Sequence, residues 1–226
     1  MDLLIFDFDG LILDTETVIY QAWTEIFASY GAELPLEAWS ACVGTTLDAF
    51  DVYGYLESQI GHSVDREEVA RLHHERAMEL LMPLKPRAGV LDYLEEARQN
   101  RIPVALASSS NQDWIMGHLS RLGIADLFHS IRTSNDVDNV KPHPELYNLT
   151  LTTMGVAPHR AIAFEDSPNG IKAAKAAGVF CVAVPNTVTK TLPLSHADLR
   201  IDSMSDITLR ELLHKVHTSQ QGTSSL

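Results

Sequence analysis

The chain has 226 residues, 45% of them hydrophobic and 21% charged, with a formal net charge of −13. That length suits one large domain, or one domain carrying a smaller insert, and the balance is that of a soluble globular protein. No apolar run approaches the roughly 20 residues a membrane helix needs, and no basic stripe offers itself to nucleic acid.

The N-terminus lacks a basic segment, and its apolar stretch is cut by Asp7 and Asp9, which argues against a signal peptide. Cys42 and Cys181 stand far apart without metal-ligand spacing and read as buried thiols in a reducing compartment. A cytoplasmic location is the expectation.

In chain order, Leu3-Leu4-Ile5-Phe6 reads as a strand buried on both faces. It ends in Asp7 and Asp9, two positions apart, so an extended backbone points both carboxylates the same way. Gly10 then lets the chain turn sharply. Such a pair can share a divalent cation, one acid attacking as a nucleophile while the other moves a proton. An ordinary Asp/Gly turn is the alternative at this point.

Residues 15–84 show helical spacing and no strand alternation. Val18, Ile19, Ala22, Trp23, Ile26 and Phe27 form one apolar stripe ending near Gly31. Further helices are expected over 36–42, 46–60 and 65–81. This stretch is unusually acidic: residues 14–84 hold 13 acids against Arg66, Arg71 and Arg76, a net −10, leaving −3 for the rest.

After Pro83 and Pro86 helices and strands alternate. Helices are expected over 90–99, 111–122, 143–154 and 168–177, and strands over 103–107, 161–164 and 179–184. Residues 214–226 are polar and read as a loose tail. Strands alternating with short helices predict an α/β fold with a parallel, doubly wound sheet, because each parallel crossover needs a connecting helix.

Ligands of such sheets bind beyond the carboxyl ends of the strands. There the chain delivers Asp7 and Asp9, then Ser108-Ser109-Ser110, then Glu165-Asp166-Ser167-Pro168, with Lys141 held between Val140 and Pro142 in an intervening loop. Singly, the serines could cap a helix, Lys141 could be a solvated surface charge, and the acids could serve a helix dipole. A set of acids after two strands, a hydroxyl after a third and a proline-pinned lysine points instead to one site.

Phe6-Asp7-Phe8-Asp9-Gly10 with Asp14-Thr15-Glu16, Ala107-Ser108-Ser109, Lys141-Pro142-His143-Pro144, and Phe164-Glu165-Asp166-Ser167-Pro168-Asn169-Gly170 resemble, in order, the four motifs of the haloacid dehalogenase superfamily. The likeness is to its β-phosphoglucomutase-like phosphatases and covers nearly the whole chain except the tail. It implies a Rossmann-like core of residues 1–14 and 85–226 with a helical cap of residues 15–84. It also implies a Mg²⁺-dependent phosphatase acting on a small phosphorylated metabolite, such as a sugar phosphate, through an aspartyl-phosphate.

By that resemblance Asp7 is the nucleophile and Asp9 the general acid/base. Ser108, Ser109 and Lys141 bind the phosphoryl group. Asp7, Asp9 (through its backbone carbonyl) and Asp166 hold Mg²⁺, and Glu165 is a further ligand or a partner of the ligands. The mutases of this group carry a cap histidine and an arginine after a Val-Gly-Ser-type turn. The matching positions here are Ile19 and Thr46, so a phosphatase leads over a phosphomutase. A non-catalytic binding protein on the same fold is the remaining alternative, which the intact Asp7, Asp9, Lys141 and Asp166 oppose. The acidic cap predicts monophosphate substrates with a neutral leaving group. No oligomeric state follows from the sequence.

Overall fold

The computed structural model describes residues 1–39 and 50–223, with side chains to residue 218. Six strands make one parallel sheet: β1 (Leu3–Phe6), β2 (Val104–Ala107), β3 (Ser130–Arg132), β4 (Ala161–Glu165), β5 (Phe180–Ala183) and β6 (Leu199–Arg200). Their spatial order is β3-β2-β1-β4-β5-β6. The chain thus winds outward on one side of β1 and then crosses to the other, which places a crevice at the carboxyl ends of β1 and its neighbours.

β1 is buried throughout, as its unbroken apolar run requires. Its alternate side chains feed two different cores. Leu4 and Phe6 join the layer built with Val90, Tyr93 and Leu94 of α5 (Val90–Gln99), Ile115 and Leu119 of α6 (Gln112–Leu122), and Leu209, Leu212 and Val216 of α9 (Leu209–Thr223). Leu3 and Ile5 join the opposite layer, with Leu146, Tyr147 and Leu151 of α7 (Glu145–Met154) and Ile171, Ala173 and Ala174 of α8 (Pro168–Ala176).

Residues 15–84 contain α1 (Thr15–Ser29), α2 (Leu36–Trp39), α3 (Val52–Ile60) and α4 (Arg66–Leu81), and no strand among the described residues. Trp23, Ile26 and Phe27 of α1 pack with Trp39, Leu56 and Val69 into a separate apolar cluster. Val18 and Ala22 meet Ala77 and Leu81 of α4 in another. Asp14, Asp51 and Asp65 cap α1, α3 and α4 with their side chains. The expected helix over 36–42 is described only as Leu36–Trp39. The one over 46–60 is described from Val52, behind its Asp51 cap. Cys42 and the Val43–Thr46 turn lie outside the described residues.

The loose tail expected over 214–226 is corrected by α9, which runs to Thr223. Leu209, Leu212 and Val216 recur at helical spacing and are fully buried. Thr208 and Glu211 close its first turn reciprocally: Thr208 N–H and Oγ1 donate to the Glu211 carboxylate, and Glu211 N–H donates to Thr208 Oγ1. Burial of that stripe outweighs the weak helix preference of Ser, Thr and Gly. The short edge strands β3 and β6 complete the sheet without having been foreseen.

Candidate active site

The register of the sheet assembles the site. Phe6 pairs with Leu106 on one side and Phe164 on the other, so Asp7 leaves β1 level with Ala107, the residue before Ser108, and with Glu165. Three residues further on, the chain has turned back: Gly10 N–H donates to Leu13 O at 2.7 Å. Gly10 has φ +80°, and a Cβ there would lie 2.2 Å from Asp166 Oδ2. Only glycine lets this loop fold over Asp166.

Asp7 is buried, and Lys141 Nζ donates to its Oδ1 at 2.6 Å. The same ammonium donates to Ala107 O at 2.7 Å and meets Glu165 Oε1 at 2.6 Å. All three of its protons are thereby directed at the site. Tyr147 donates its hydroxyl proton to Glu165 Oε1 at 2.5 Å. One carboxylate oxygen each from Asp7, Glu165 and Asp166 lies within 4.8 Å of the others.

The electrostatics of this cluster are lopsided. Burial pushes Asp7 up to about 8; the Lys141 charge opposes that, while Glu165 adds to it. Burial also raises Asp166 well above the usual carboxylate range, reinforced by the Asp7 and Glu165 charges. Burial alone would lower Lys141, but the adjacent Asp7 and Glu165 charges more than reverse it, so the ammonium stays charged. Among the described residues one lysine contacts two of the three buried acids, Asp7 and Glu165, and Glu165 Oε2 is buried without a hydrogen-bond partner. An all-oxygen, electron-rich set of this kind suits a small hard divalent cation.

The expected residues are brought together with one division. The Asp9 side chain points away from the three acids: its Oδ1 accepts from Thr15 Oγ1 at 2.9 Å and from Trp114 Nε1 at 2.9 Å, and its Oδ2 from Ser110 Oγ at 2.6 Å. Glu165 stands among the acids beside Asp7 and Asp166. Ser108 is buried and its Oγ accepts from Ser110 N–H at 3.0 Å, whereas Ser109 is exposed.

Asp9 faces a cavity of about 460 Å³, lined also by Glu16, Ile19, Ser109, Asn111 and Trp114. Burial pushes Glu16 up to about 7, helped by the Asp9 and Asp14 charges. A second cavity of about 410 Å³, between α5 and the 204–211 segment, is lined by none of the strand-end residues.

Sequence reading did not foresee the roles of Ser110, Trp114, Tyr147, Arg87 or Asn186. Arg87 donates to the carbonyls of Gly10, Val184 and Pro185. Asn186 donates to Asp166 Oδ2 at 2.7 Å. The Ser-Ser-Ser run was a signal for Ser110; the others join positions far apart in the chain, which no local pattern marks.

A family model described as haloacid dehalogenase-like hydrolase matches residues 4–184. YhcW of Bacillus subtilis (strain 168), whose name places it among phosphatases without a substrate, is 46% identical over 215 residues, 95% of this chain and 97% of its own. A phosphorylated carbohydrates phosphatase of Thermotoga maritima is 31% identical over 187 residues, 79% of this chain and 82% of its own. A crystal structure of β-phosphoglucomutase from Clostridium difficile superposes with a TM-score of 0.71 at 26% identity, covering 96% of this chain and 98% of that one.

Proposed function

We propose that this chain, which belongs to the haloacid dehalogenase-like hydrolase family and is a phosphoric monoester hydrolase of that type, removes the phosphoryl group from a small sugar phosphate or similar metabolite. Asp7 forms an aspartyl-phosphate in the course of the reaction. The observation that carries this reading is the Asp7 carboxylate, buried at the end of the central strand against Lys141 and beside Glu165 and Asp166.

Asp7 attacks phosphorus, its new O–P bond forming as the bond to the leaving oxygen breaks, and Asp9 gives a proton to that oxygen. Asp9 then takes a proton from water, which attacks the aspartyl-phosphate, releases inorganic phosphate and regenerates Asp7. Thr15, Ser110 and Trp114 hold Asp9 at the cavity wall meanwhile. Ser108 and Ser109 face the phosphoryl oxygens. Lys141 contributes mainly by offsetting the charge of Asp7, to which it is bonded.

Asp7, Asp166, Glu165 and the Asp9 backbone carbonyl are the groups that would hold Mg²⁺. When bound, the cation supplies the charge that lets an anionic carboxylate meet an anionic phosphoryl group.

A stability measurement tests the cation without substrate. In the metal-free protein Asp7 keeps its proton to about pH 8, whereas the unfolded chain loses it near 3.8. The folded state then binds more protons across that window, so stability falls as pH rises through it. In EDTA, the melting temperature should decline from pH 5 to pH 8, and Mg²⁺ should raise it more at pH 8 than at pH 5. A Mg²⁺ effect equal at both pH values would refute the shared site.

Residues 15–84 serve as the cap and residues 1–14 and 85–226 as the core, with the leaving group held between them. Arg66 pairs with Asp51 and Glu57, Arg71 with Glu68 and Glu75, and Arg76 with Glu25 and Glu79. None of the three lines the cavity, whose described walls carry Asp9 and Glu16 and neither lysine nor arginine. A second phosphate carries about two negative charges near neutral pH and would meet only like charge.

The activity screen therefore runs a panel of phosphorylated metabolites with Mg²⁺, setting each sugar monophosphate beside its bisphosphate. The monophosphates should lead in kcat/KM by about tenfold or more, for which a repulsion of ~1.4 kcal/mol suffices. Failure to hydrolyse any monoester would sink the proposal, and a bisphosphate preference would sink the account of the leaving-group pocket.

A phosphomutase is the weaker reading. Ile19, at the position of the mutase histidine, lines the cavity as an apolar side chain that can neither give nor take a proton; Thr46 lies outside the described residues. A non-catalytic role leaves the buried acid–lysine cluster unexplained. No described helix is long and apolar enough to cross a membrane, and neither membrane nor nucleic acid enters the reading; the site of action is taken to be the cytoplasm.

A further inference from the structure

Asn186 stands three residues beyond β5 and is buried, yet every hydrogen-bonding position of its side-chain amide is used. Its Oδ1 accepts from the backbone N–H groups of Val188 and Thr189, both at 2.9 Å. Its Nδ2 donates to Asp166 Oδ2 at 2.7 Å and to Gly10 O at 3.2 Å. The two backbone donors can be satisfied only by a carbonyl oxygen, so the orientation of the amide is fixed and its NH₂ must face the carboxylate.

The loop that carries Asn186 is itself anchored. Asn186 N–H donates to Thr189 Oγ1 at 3.0 Å, and Val188 is fully buried in the apolar cluster of Trp23, Phe27, Trp39 and Leu56. Asp166 has little else to hold it. Asn186 is the group with a hydrogen bond to its Oδ2 among the described residues, and the Gly10 turn closes over that same oxygen. A carboxylate that must present its other oxygen to a cation is oriented by what binds the first.

We infer that Asn186 is a positioning residue for a metal-binding carboxylate: by holding Asp166 Oδ2 it sets how tightly the site takes a divalent cation. The inference rests on the reading that Asp166 is a ligand, and it adds a residue outside the four motifs to the machinery.

The test is calorimetric titration of Mg²⁺ into the full chain without substrate, for the wild type, Asp166→Ala, Asn186→Ser, Asn186→Ala and Val188→Ala. Asn186→Ser retains a short acceptor for the loop N–H groups and loses the donor to Asp166. Asn186→Ala serves if the serine variant does not fold. Outer partners of metal ligands are worth about 10- to 100-fold in affinity, and a Kd raised by that factor is expected for either Asn186 variant.

Val188→Ala loosens the same loop without touching Asp166. It should lower the melting temperature while leaving the Mg²⁺ Kd within about twofold, a central tendency for a change away from the ligand shell. A folded Asn186 variant with wild-type Kd would overturn the inference, as would an equal loss of affinity in Val188→Ala, which would mark the effect as general loosening. If the wild type binds no Mg²⁺, or Asp166→Ala binds it as well as the wild type, the metal reading itself fails and takes the inference with it.

Discussion

Asp7→Asn should give a folded protein with turnover reduced by about 10⁴-fold or more, the scale seen when a covalent nucleophile is removed. An amide is a poor nucleophile toward phosphorus, and no second carboxylate stands ready to replace Asp7. Glu165 Oε1 is held by Lys141 and Tyr147, and Asp166 lies under the Gly10 turn.

The same variant should be no less stable than the wild type in EDTA at pH 7.5. It removes one of three mutually repelling buried acids, while Lys141 keeps its contacts with Glu165 and Ala107 O. Two measurements check the assignment: steady-state kcat, and acid-quenched trapping of labelled phosphoryl-protein from a labelled substrate. The wild type should retain label and the variant none. A variant that still turned over near the wild-type rate, or trapped label equally, would remove Asp7 from the nucleophile's place.

Where sequence and structure agree, the reason is local. β1, β2, β4 and β5 are short apolar runs bounded by Asp, Ser, Glu and Pro, and their buried stretches match the expected ones to within a residue or two. Chemistry placed just after a buried run is legible because little else explains a carboxylate there. β3 and β6 escaped because Ser130-Ile131-Arg132 and Leu199-Arg200 are too short to show a period; pairing with β2 and β5 decides them. The helical tail escaped because its apolar stripe begins at Leu209, before the polar stretch that drew attention.

The partners of the site residues were legible least. Trp114 reaches Asp9 across 105 positions and Asn186 reaches Gly10 across 176. Such contacts exist only once the sheet has set its register. Lys141 shows the same limit in its role: its place in a loop between strands and its charge beside Asp7 were readable, but not that its ammonium would also meet Glu165 and a backbone carbonyl.

That arrangement makes Lys141→Met the second severe substitution. Methionine roughly keeps the volume and removes the charge, leaving Asp7 and Glu165 buried beside each other with no contacting cation. Breaking a buried pair from one side costs about 3–5 kcal/mol, and losing a charge next to the reacting carboxylate costs about 10²- to 10³-fold in kcat. The stability loss has a defined pH dependence. Burial raises Asp7 and Lys141 lowers it, so removing the lysine raises the folded-state value further.

An acid raised only in the folded state costs nothing where both states are protonated. It costs progressively more above the unfolded value near 3.8, and a rise beyond the wild type's value of about 8 adds to that cost only once pH passes about 8. Lys141 adds a part that does not vary over this range: its folded value is raised, so the stability it contributes is fully present below its ordinary 10.5, and the variant forfeits it alike from pH 4 to pH 8. In EDTA, then, the gap in melting temperature between wild type and Lys141→Met should already be present at pH 4, hold roughly level to pH 7, widen as pH rises through about 8, and narrow when Mg²⁺ supplies the missing positive charge. A gap that does not widen between pH 7 and pH 9 would mean that the lysine charge does not act on Asp7, and a kcat within tenfold of the wild type would free it from any part in the chemistry.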